Sequence, residues 1–168
     1  ITLNGKNVEV NSKLLKSLRW CGISNRVGTK YDVRNLGWNY YMNEFSAEIG
    51  RIQLKKLDVM NKRRKQIAKR YWKELEIQSK MPFDNDCSYH LYWIQVKNRN
   101  QFMKKLLENN VETGIHYRPI HQMSFYKNNE NLPITEKVSK RIVSLPIHPN
   151  LTESDVNKVI CLVNKYGK

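Results

Sequence analysis

The sequence has few of the residues that mark fibrous, disordered or membrane proteins. Its 168 residues include only seven glycines and five prolines, and 40% of the residues are hydrophobic. This composition excludes collagen-like, low-complexity and fully disordered chains. No stretch approaches the roughly 20 consecutive apolar residues that a membrane-spanning helix needs. We therefore predict a soluble globular chain with its own hydrophobic core and no membrane partner.

Cysteine is scarce. Cys21, Cys87 and Cys161 are odd in number and far apart, and they fit no metal-ligand spacing. This pattern argues against a disulfide framework and favours a reducing compartment. We therefore predict buried structural thiols and a cytoplasmic protein. Cys21 precedes Gly22 in a predicted loop, but nothing near it in sequence would activate a thiol nucleophile.

Acidic residues are half as numerous as basic ones. Thirty Lys and Arg against fifteen Asp and Glu give a net charge of +15, which attracts nucleic acid, phosphorylated small molecules or anionic lipid. The densest stretch, 55–73, has nine basic residues and one acid, as the solvated face of a helix would. No zinc-finger spacing, RNA-binding sheet signature or Gly-x-x-Gly clamp accompanies it. Charge alone therefore does not predict a nucleic-acid partner.

Periodicity and turn residues predict an α/β chain in which helices and strands alternate. In the first part we expect a strand at 1–3, a helix capped by Asn11 or Ser12, a loop over 21–41, a helix capped by Asn43 and a longer helix from Asp58. The longer helix carries the apolar stripe Met60, Ile67, Tyr71 and Leu75.

The second part predicts three more strands and three more helices. We expect a central strand over 89–96, a helix through Phe102 and Leu106, a strand over 111–116, a helix over 135–143, an edge strand over 145–147 and a last helix whose start is a capping box of Thr152 and Asp155.

Two histidines flank a proline in the most ligand-like loop. His116 and His121 are five residues apart around Pro119, so they do not share a helix face, and no acidic residue completes a metal site. His116, Tyr117 and Arg118 follow a predicted strand, where open α/β sheets bind ligands. Such a cluster suits an anionic, hydroxyl-rich ligand. A plain surface turn remains the alternative.

The other histidines carry weaker signals. His90 lies inside a predicted strand, which favours a structural hydrogen bond, and His148 lies between two prolines, as a turn residue would. The sequence contains no serine nucleophile elbow, P-loop, Gly-rich dinucleotide fingerprint or zinc-protease motif. Composition and pattern therefore predict a basic α/β module with two ligand-like loops.

Several segments, in order and at the expected spacing, resemble one enzyme family. They are 37–44 (GWNYYMNE), 47–58 (AEIGRIQLKKLD), 63–71 (RRKQIAKRY), 88–92 (SYHLY), 113–121 (TGIHYRPIH), 132–133 (LP), 144–146 (SLP) and 151–156 (LTESDV). Together they span nearly the whole chain and resemble the pyridoxal-phosphate-dependent DegT/DnrJ/StrS sugar aminotransferases.

The resemblance implies a fold type I aminotransferase. Residues 1–57 would end the large cofactor domain, with its interface loop, and residues 58–168 would form the small C-terminal α/β domain. Such enzymes are homodimers that move an amino group, typically from glutamate, onto a nucleotide-linked keto sugar, with pyridoxal 5'-phosphate as the electron sink.

The resemblance also implies that this chain is a C-terminal fragment. The family's Schiff-base lysine lies upstream of the matched region, and Lys6 and Lys13 match no such motif. We therefore expect no catalytic residue in this chain and no activity from it alone.

Four residues carry family roles by resemblance. Asn39 corresponds to an asparagine in a loop that reaches the partner subunit's site and contacts the cofactor phosphate, although Tyr41 stands where the family usually has Arg. His116, Tyr117 and His121 correspond to the loop that borders the sugar-nucleotide pocket.

The alternative is a stand-alone basic α/β module that binds a phosphorylated ligand or nucleic acid. The apolar stripe of Phe45, Ile49 and Ile52 distinguishes the two interpretations. In an aminotransferase fragment the stripe packs on the rest of the enzyme and is exposed in this chain. In a stand-alone module it would be covered.

Overall fold

The computed structural model describes Leu3 and residues 5–126 and 130–167. In chain order the described elements are α1 (Val8–Arg19), β1 (Ile23–Val27), β2 (Lys30–Val33), α2 (Glu44–Glu74), β3 (Tyr92–Gln95), α3 (Arg99–Glu108), a 3₁₀ turn (Ile120–Gln122), α4 (Pro133–Ser139), β4 (Ile142–Leu145) and α5 (Glu153–Tyr166). The chain divides into two compact units, Ile1–Lys55 and Lys56–Lys168. Among the described residues, no helix has the length and apolar character needed to cross a membrane.

The first unit contains α1 and an antiparallel hairpin of β1 and β2. Ile23 pairs with Val33, and Gly28 adopts the left-handed φ of 61° that the tight turn between the strands requires. The predicted long loop over 21–41 is therefore wrong for its central part. Most side chains of both strands are exposed, so no apolar alternation marked them in the sequence.

Helix α1 begins earlier than predicted. Its N-cap is Asn7, whose side chain makes no capping hydrogen bond, while Asn11 and Ser12 lie inside the helix. The backbone bond from Asn11 N to Asn7 O, 3.0 Å long, closes the first turn without a side-chain cap. The predicted strand at 1–3 lies, except for Leu3, outside the described residues.

Helix α2 is one continuous helix of 31 residues, where the sequence predicted two. Asn43 caps it as predicted, because its Oδ1 accepts a 2.8 Å hydrogen bond from Ser46 N. Asp58, the predicted start of a second helix, lies inside α2. Asp is a residue type that often caps helices, but Asp58 does not end this one. The helix contains no proline that would break it.

The core of the second unit packs against the C-terminal part of α2. Ile67, Tyr71 and Leu75 are buried there, as the predicted stripe requires, whereas Met60 is only half-buried. Burial raises the pKa of the Tyr71 phenol, whose Oη donates a 2.7 Å hydrogen bond to Pro146 O. The other elements contribute Tyr92, Ile94, Phe102, Leu106, Val143, Leu145, Val156, Val159, Ile160 and Val163.

The predicted central strand is shorter than expected. β3 pairs with β4, with Tyr92 opposite Leu145, and a single bridge from Lys80 to Ile94 flanks its other side. The strand therefore has neighbours on both sides, but it begins at Tyr92 rather than at residue 89. Tyr89 has a left-handed φ of 52°, which lies outside the β region of backbone conformation.

Two further boundaries in the second unit differ from the prediction. The strand expected over 111–116 reduces to one bridge between Gly114 and Ser144. The helix expected over 135–143 ends at Ser139, because Ile142 and Val143 belong to β4. Both are β-branched residues, which favour strands. Their pairing partner, β3, lies almost 50 residues earlier in the chain, so no local sequence pattern reveals the pairing.

Helix α5 begins at the predicted capping box. Thr152 Oγ1 accepts from Asp155 N at 3.1 Å, and Asp155 Oδ2 accepts from Thr152 N at 2.9 Å. Next to the box, Glu153 accepts hydrogen bonds from Arg63 at 2.6 Å and from Arg70 at 2.9 Å. These bonds fasten the start of α5 to α2.

The predicted burial of the cysteines is wrong. Cys21 and Cys161 are exposed, and Cys87 is half-buried. Cys21 occupies a turn with a left-handed φ of 53°. Cys161 is an exposed residue of α5, whose core face consists of Val156, Val159, Ile160, Leu162 and Val163.

Candidate functional site

The loop that carries Asn39 is fastened to the end of α1 by backbone hydrogen bonds. Trp38 N donates to Leu18 O at 2.9 Å, and Tyr40 N donates to Arg19 O at 3.0 Å. Asn39 lies between these two anchors. Its backbone position is therefore set by main-chain bonds on both sides.

Two glycines make this fastening possible. A Cβ on Gly22 would lie 1.7 Å from Asn35 O, and one on Gly37 would lie 2.3 Å from Gly22 N. Both distances are shorter than any tolerated contact. Only glycine lets the turn after α1 and the start of the Asn39 loop approach so closely.

The Asn39 side chain is exposed, and only one of its two polar atoms has a hydrogen-bond partner among the described residues. Its Oδ1 accepts a 3.4 Å hydrogen bond from Tyr41 N, while Nδ2 donates to no atom of the described residues. An amide NH₂ with open donors is a suitable partner for a phosphate oxygen. The chemistry and the exposure of Asn39 therefore fit the cofactor contact that the family resemblance implies.

His116 is held against the edge of β4. Its Nδ1 lies 2.9 Å from Ser144 Oγ, and its ring lies so close to Gly114 that a Cβ there would be 2.5 Å from Cε1. The Tyr117 ring meets the His116 ring edge to face, with centroids 4.9 Å apart. Tyr117 itself is 70% exposed, so its ring is available to a ligand.

His121 belongs to a different set of contacts. Its Nε2 lies 3.3 Å from Glu136 Oε1 on α4, and its side chain is only 9% exposed. The structure thus brings His116 and Tyr117 into ring contact, whereas His121 joins the 3₁₀ turn to α4. Arg118, next in the loop, donates to Gln122 O at 2.8 Å.

Sequence reasoning missed a cleft that contains three of the four histidines. It has a volume of about 350 Å³, and His116, His90, His148 and Arg64 are among its lining residues. His90 is exposed and precedes β3, so its predicted place inside a strand is wrong. His148 is a turn residue as predicted, since Asn150 N donates to its Nδ1 at 3.2 Å. No local signal joins these positions, because the fold alone brings them together.

Titratable groups around these loops do not form a metal centre. Within the described part of the chain, no group of three or more His, Cys, Asp or Glu residues is placed to hold a metal ion.

Solved aminotransferase structures share this fold. The chain matches the aminotransferase TlmJ from Streptoalloteichus hindustanus with a TM-score of 0.84 and 28% identity, over 95% of this chain and 45% of TlmJ. It matches the PLP-form of the putative sugar aminotransferase Spr1654 from Streptococcus pneumoniae with a TM-score of 0.86 and 22% identity, over 99% of this chain and 46% of that one. The α/β structure is therefore part of a fold type I aminotransferase, as expected.

Sequence comparison then identifies the family. The profile of the DegT/DnrJ/EryC1/StrS aminotransferase family matches residues 6–164. The chain is 36% identical to the dTDP-3-amino-3,6-dideoxy-alpha-D-galactopyranose transaminase of Aneurinibacillus thermoaerophilus, over 82% of this chain and 40% of that enzyme. This chain belongs to the DegT/DnrJ/EryC1/StrS aminotransferase family. It spans less than half the length of the curated relatives it matches.

Proposed function

We propose that this chain is the C-terminal portion of a pyridoxal-phosphate-dependent aminotransferase that transfers an amino group from glutamate to a nucleotide-linked keto sugar. The match of residues 6–164 to the family carries this proposal. The dTDP-linked sugar in the name of the A. thermoaerophilus relative supports the substrate class. On this proposal the catalytic lysine belongs to the other half of the parent enzyme, and this chain alone does not transaminate.

We further propose the domain division expected from the sequence, with residues 1–57 ending the large cofactor domain and residues 58–168 forming the small domain. The change of compact unit after Lys55 supports a boundary in this region. On this proposal the boundary falls inside α2, so one helix joins the two domains.

Asn39 is assigned to the cofactor phosphate of the partner protomer. Its exposed Nδ2 donors and the main-chain bonds around it support this role. When bound, the cofactor supplies the electron sink for amino transfer. The part of this chain is to hold the phosphate in place with a charge-assisted hydrogen bond.

The loop over 116–121 is assigned to the sugar nucleotide. His116 and Tyr117 are proposed to contact it, because the tyrosine ring is exposed and the imidazole is fixed by Ser144. His121 has its Nε2 next to Glu136. Its proposed role is therefore to position the loop.

The exposed apolar stripe on α2 supports an assembly larger than this chain. Phe45 is 84% exposed, Ile49 61% and Ile52 44%. A contiguous apolar face of this kind marks a surface that packs on another part of a protein. It favours the aminotransferase and its homodimer over the stand-alone binding module, in which the stripe would be covered.

The test is to read the encoding DNA upstream of Ile1 and to assay the product of the complete open frame. We expect a cofactor domain with its lysine, and glutamate-dependent amination of a dTDP-linked keto sugar. A start codon directly before Ile1, together with no second chain that restores amino transfer, would contradict the proposal.

A further inference from the structure

A basic groove lies beside the Asn39 loop in the first unit. Its volume is about 420 Å³, and α1, β1 and Tyr41 line it. Four of its lining residues are cations and no described lining residue is acidic. The cations are Lys13, Lys16, Arg19 and Arg26.

None of these four cations forms an ion pair with an acid among the described residues, and all four are exposed. Some arginines elsewhere in the chain are neutralised, as Arg63 and Arg70 are by Glu153. The groove therefore concentrates positive charge that the protein itself does not compensate. Such a surface attracts an anionic ligand.

The two arginines of the groove make cation–π contacts with aromatic rings, which orient their guanidinium groups. The Arg26 guanidinium lies 4.9 Å from the Trp20 ring centroid, and the Arg19 guanidinium lies 4.8 Å from that of Tyr41. The two rings meet edge to face, with centroids 6.3 Å apart. A cation–π contact orients a guanidinium without neutralising it. Apart from Arg26 Nε, which donates to Gly28 O, the N–H donors of both guanidinium groups remain available to a ligand.

Favourable interaction with the dipole of α1 explains the presence of only some of the four cations. Lys16 and Arg19 lie in the last turn of α1, where cations interact favourably with the helix dipole. Lys13 lies before that turn, and Arg26 comes from β1. Two of the four cations therefore have no such role.

We propose that this groove binds a diphosphate group, as a site separate from the single phosphate contact assigned to Asn39. Guanidinium groups bind phosphate oxygens in pairs, and lysines add point charges. Four cations suit two linked phosphates better than one. The choice of a diphosphate rests on the proposed function, since a nucleotide-linked sugar carries this group.

The experiment is a calorimetric titration of the 168-residue chain with thymidine diphosphate at low salt. We expect saturable binding that the Lys13→Gln/Lys16→Gln variant weakens by about tenfold or more. Neither lysine has a hydrogen-bond or ion-pair partner among the described residues, so this variant should keep its fold. The matched control is Lys104→Gln/Lys158→Gln, which removes the same charge from exposed helix positions and should change the affinity by less than about twofold.

A second variant examines the arginines without changing the charge. Arg19→Lys/Arg26→Lys keeps both positive charges and removes the planar guanidinium, so the affinity should again fall. Circular dichroism checks the fold, because Arg26 Nε also donates to Gly28 O at 3.1 Å. Unchanged affinity in both groove variants would overturn the proposal.

Three other outcomes would also overturn it. Equal weakening by the control variant would show a general field effect. Equal affinity for inorganic phosphate would indicate a single-phosphate site, and tighter binding of oligouridine that the groove variants abolish would indicate a nucleic-acid surface. Because this binding requires neither cofactor nor a further domain, its failure would leave the Asn39 assignment unaffected.

Discussion

Asn39 owes its position to contacts that its own side chain does not make. Main-chain bonds to Leu18 and Arg19 hold the loop on either side of it, and Gly22 and Gly37 permit the close approach. Removal of the Asn39 amide should therefore leave the loop in place. The residue can be tested with little disturbance of its surroundings.

Asn39→Ala in the parent enzyme should weaken cofactor retention. A lost hydrogen bond to a charged group typically costs about 1.5–3 kcal/mol, which corresponds to roughly tenfold or more in the dissociation constant. Equilibrium dialysis against pyridoxal 5'-phosphate measures it. Asn100→Ala, at an exposed position of α3, is the control and should bind the cofactor like the native protein. Native affinity in the Asn39 variant would refute the phosphate contact.

His121 and Glu136 should act as one unit. In the parent enzyme His121→Ala should raise the apparent KM for the sugar nucleotide more than that for glutamate, because the loop that carries His116 and Tyr117 loses its anchor on α4. Glu136→Gln should reproduce part of this effect, and the double variant should be less impaired than the sum of the single variants predicts. Steady-state kinetics with each substrate varied in turn measures all three.

Comparison of the changes in the two KM values distinguishes a role in positioning the sugar-nucleotide loop from a general loss of structure. Equal increases for the sugar nucleotide and for glutamate would argue against a role in the sugar pocket. Additive effects of the two substitutions would show that the contact at 3.3 Å does not couple these residues.

At the scale of elements, the start of α5 is the best-defined junction in the second unit. Arg63 and Arg70 converge on Glu153, beside the capping box of Thr152 and Asp155. Hydrogen bonding from Arg63, more than from Arg70, lowers the pKa of the Glu153 carboxyl below its ordinary 4.5. A carboxyl with a lowered folded-state pKa stabilises the fold only while it is ionised.

Glu153→Gln should therefore destabilise the chain more at neutral pH than in acid. The stabilisation is fully present above the ordinary pKa of 4.5 and is lost as the pH falls through the lower folded-state value. The difference in urea midpoint between variant and native chain should be smaller at about pH 3 than at pH 7. Asp58→Asn on α2 is the control, because Asp58 forms no ion pair among the described residues. An equal deficit at both pH values would contradict the assignment.

Elements whose signals are local were predictable from the sequence. Asn43 and the pair of Thr152 and Asp155 cap α2 and α5 as expected, because a cap depends on residues within one turn. The β1–β2 hairpin was missed, since its exposed strands bury no alternating face. The end of α4 was misplaced because Ile142 pairs with Gln95 of β3, a contact that no local pattern reveals.

In the candidate site too, some residues have a local sequence signal, whereas others are brought together only by the fold. Asn39, His116, Tyr117 and His121 were predicted from family motifs, which are contiguous in sequence, and His116 and Tyr117 also from their place after a predicted strand. Arg64, His90 and His148 join His116 in one cleft only through the fold. Sequence also could not predict that His121 has different contacts from His116 and Tyr117. Its partner, Glu136, lies 15 residues further along the chain.

At the scale of the whole molecule, the most informative surface is the apolar stripe of Phe45, Ile49 and Ile52. Spacings of four and three residues place the three side chains on one face of α2, and all three are exposed. Burial of such side chains contributes about 25 cal/mol per Å² of apolar surface. A chain that leaves the stripe open to water should therefore associate through it.

We expect the isolated chain to form dimers or larger species in sedimentation velocity runs as its concentration rises. Phe45→Glu/Ile49→Glu should shift this equilibrium strongly towards monomer, because burying the added charges is costly. Ile134→Glu is the control, since Ile134 is 80% exposed on α4, outside the stripe, and should leave association unchanged. A native chain that stays monomeric at every concentration would favour the stand-alone binding module. Association that persists in the stripe variant would place the contact on another surface.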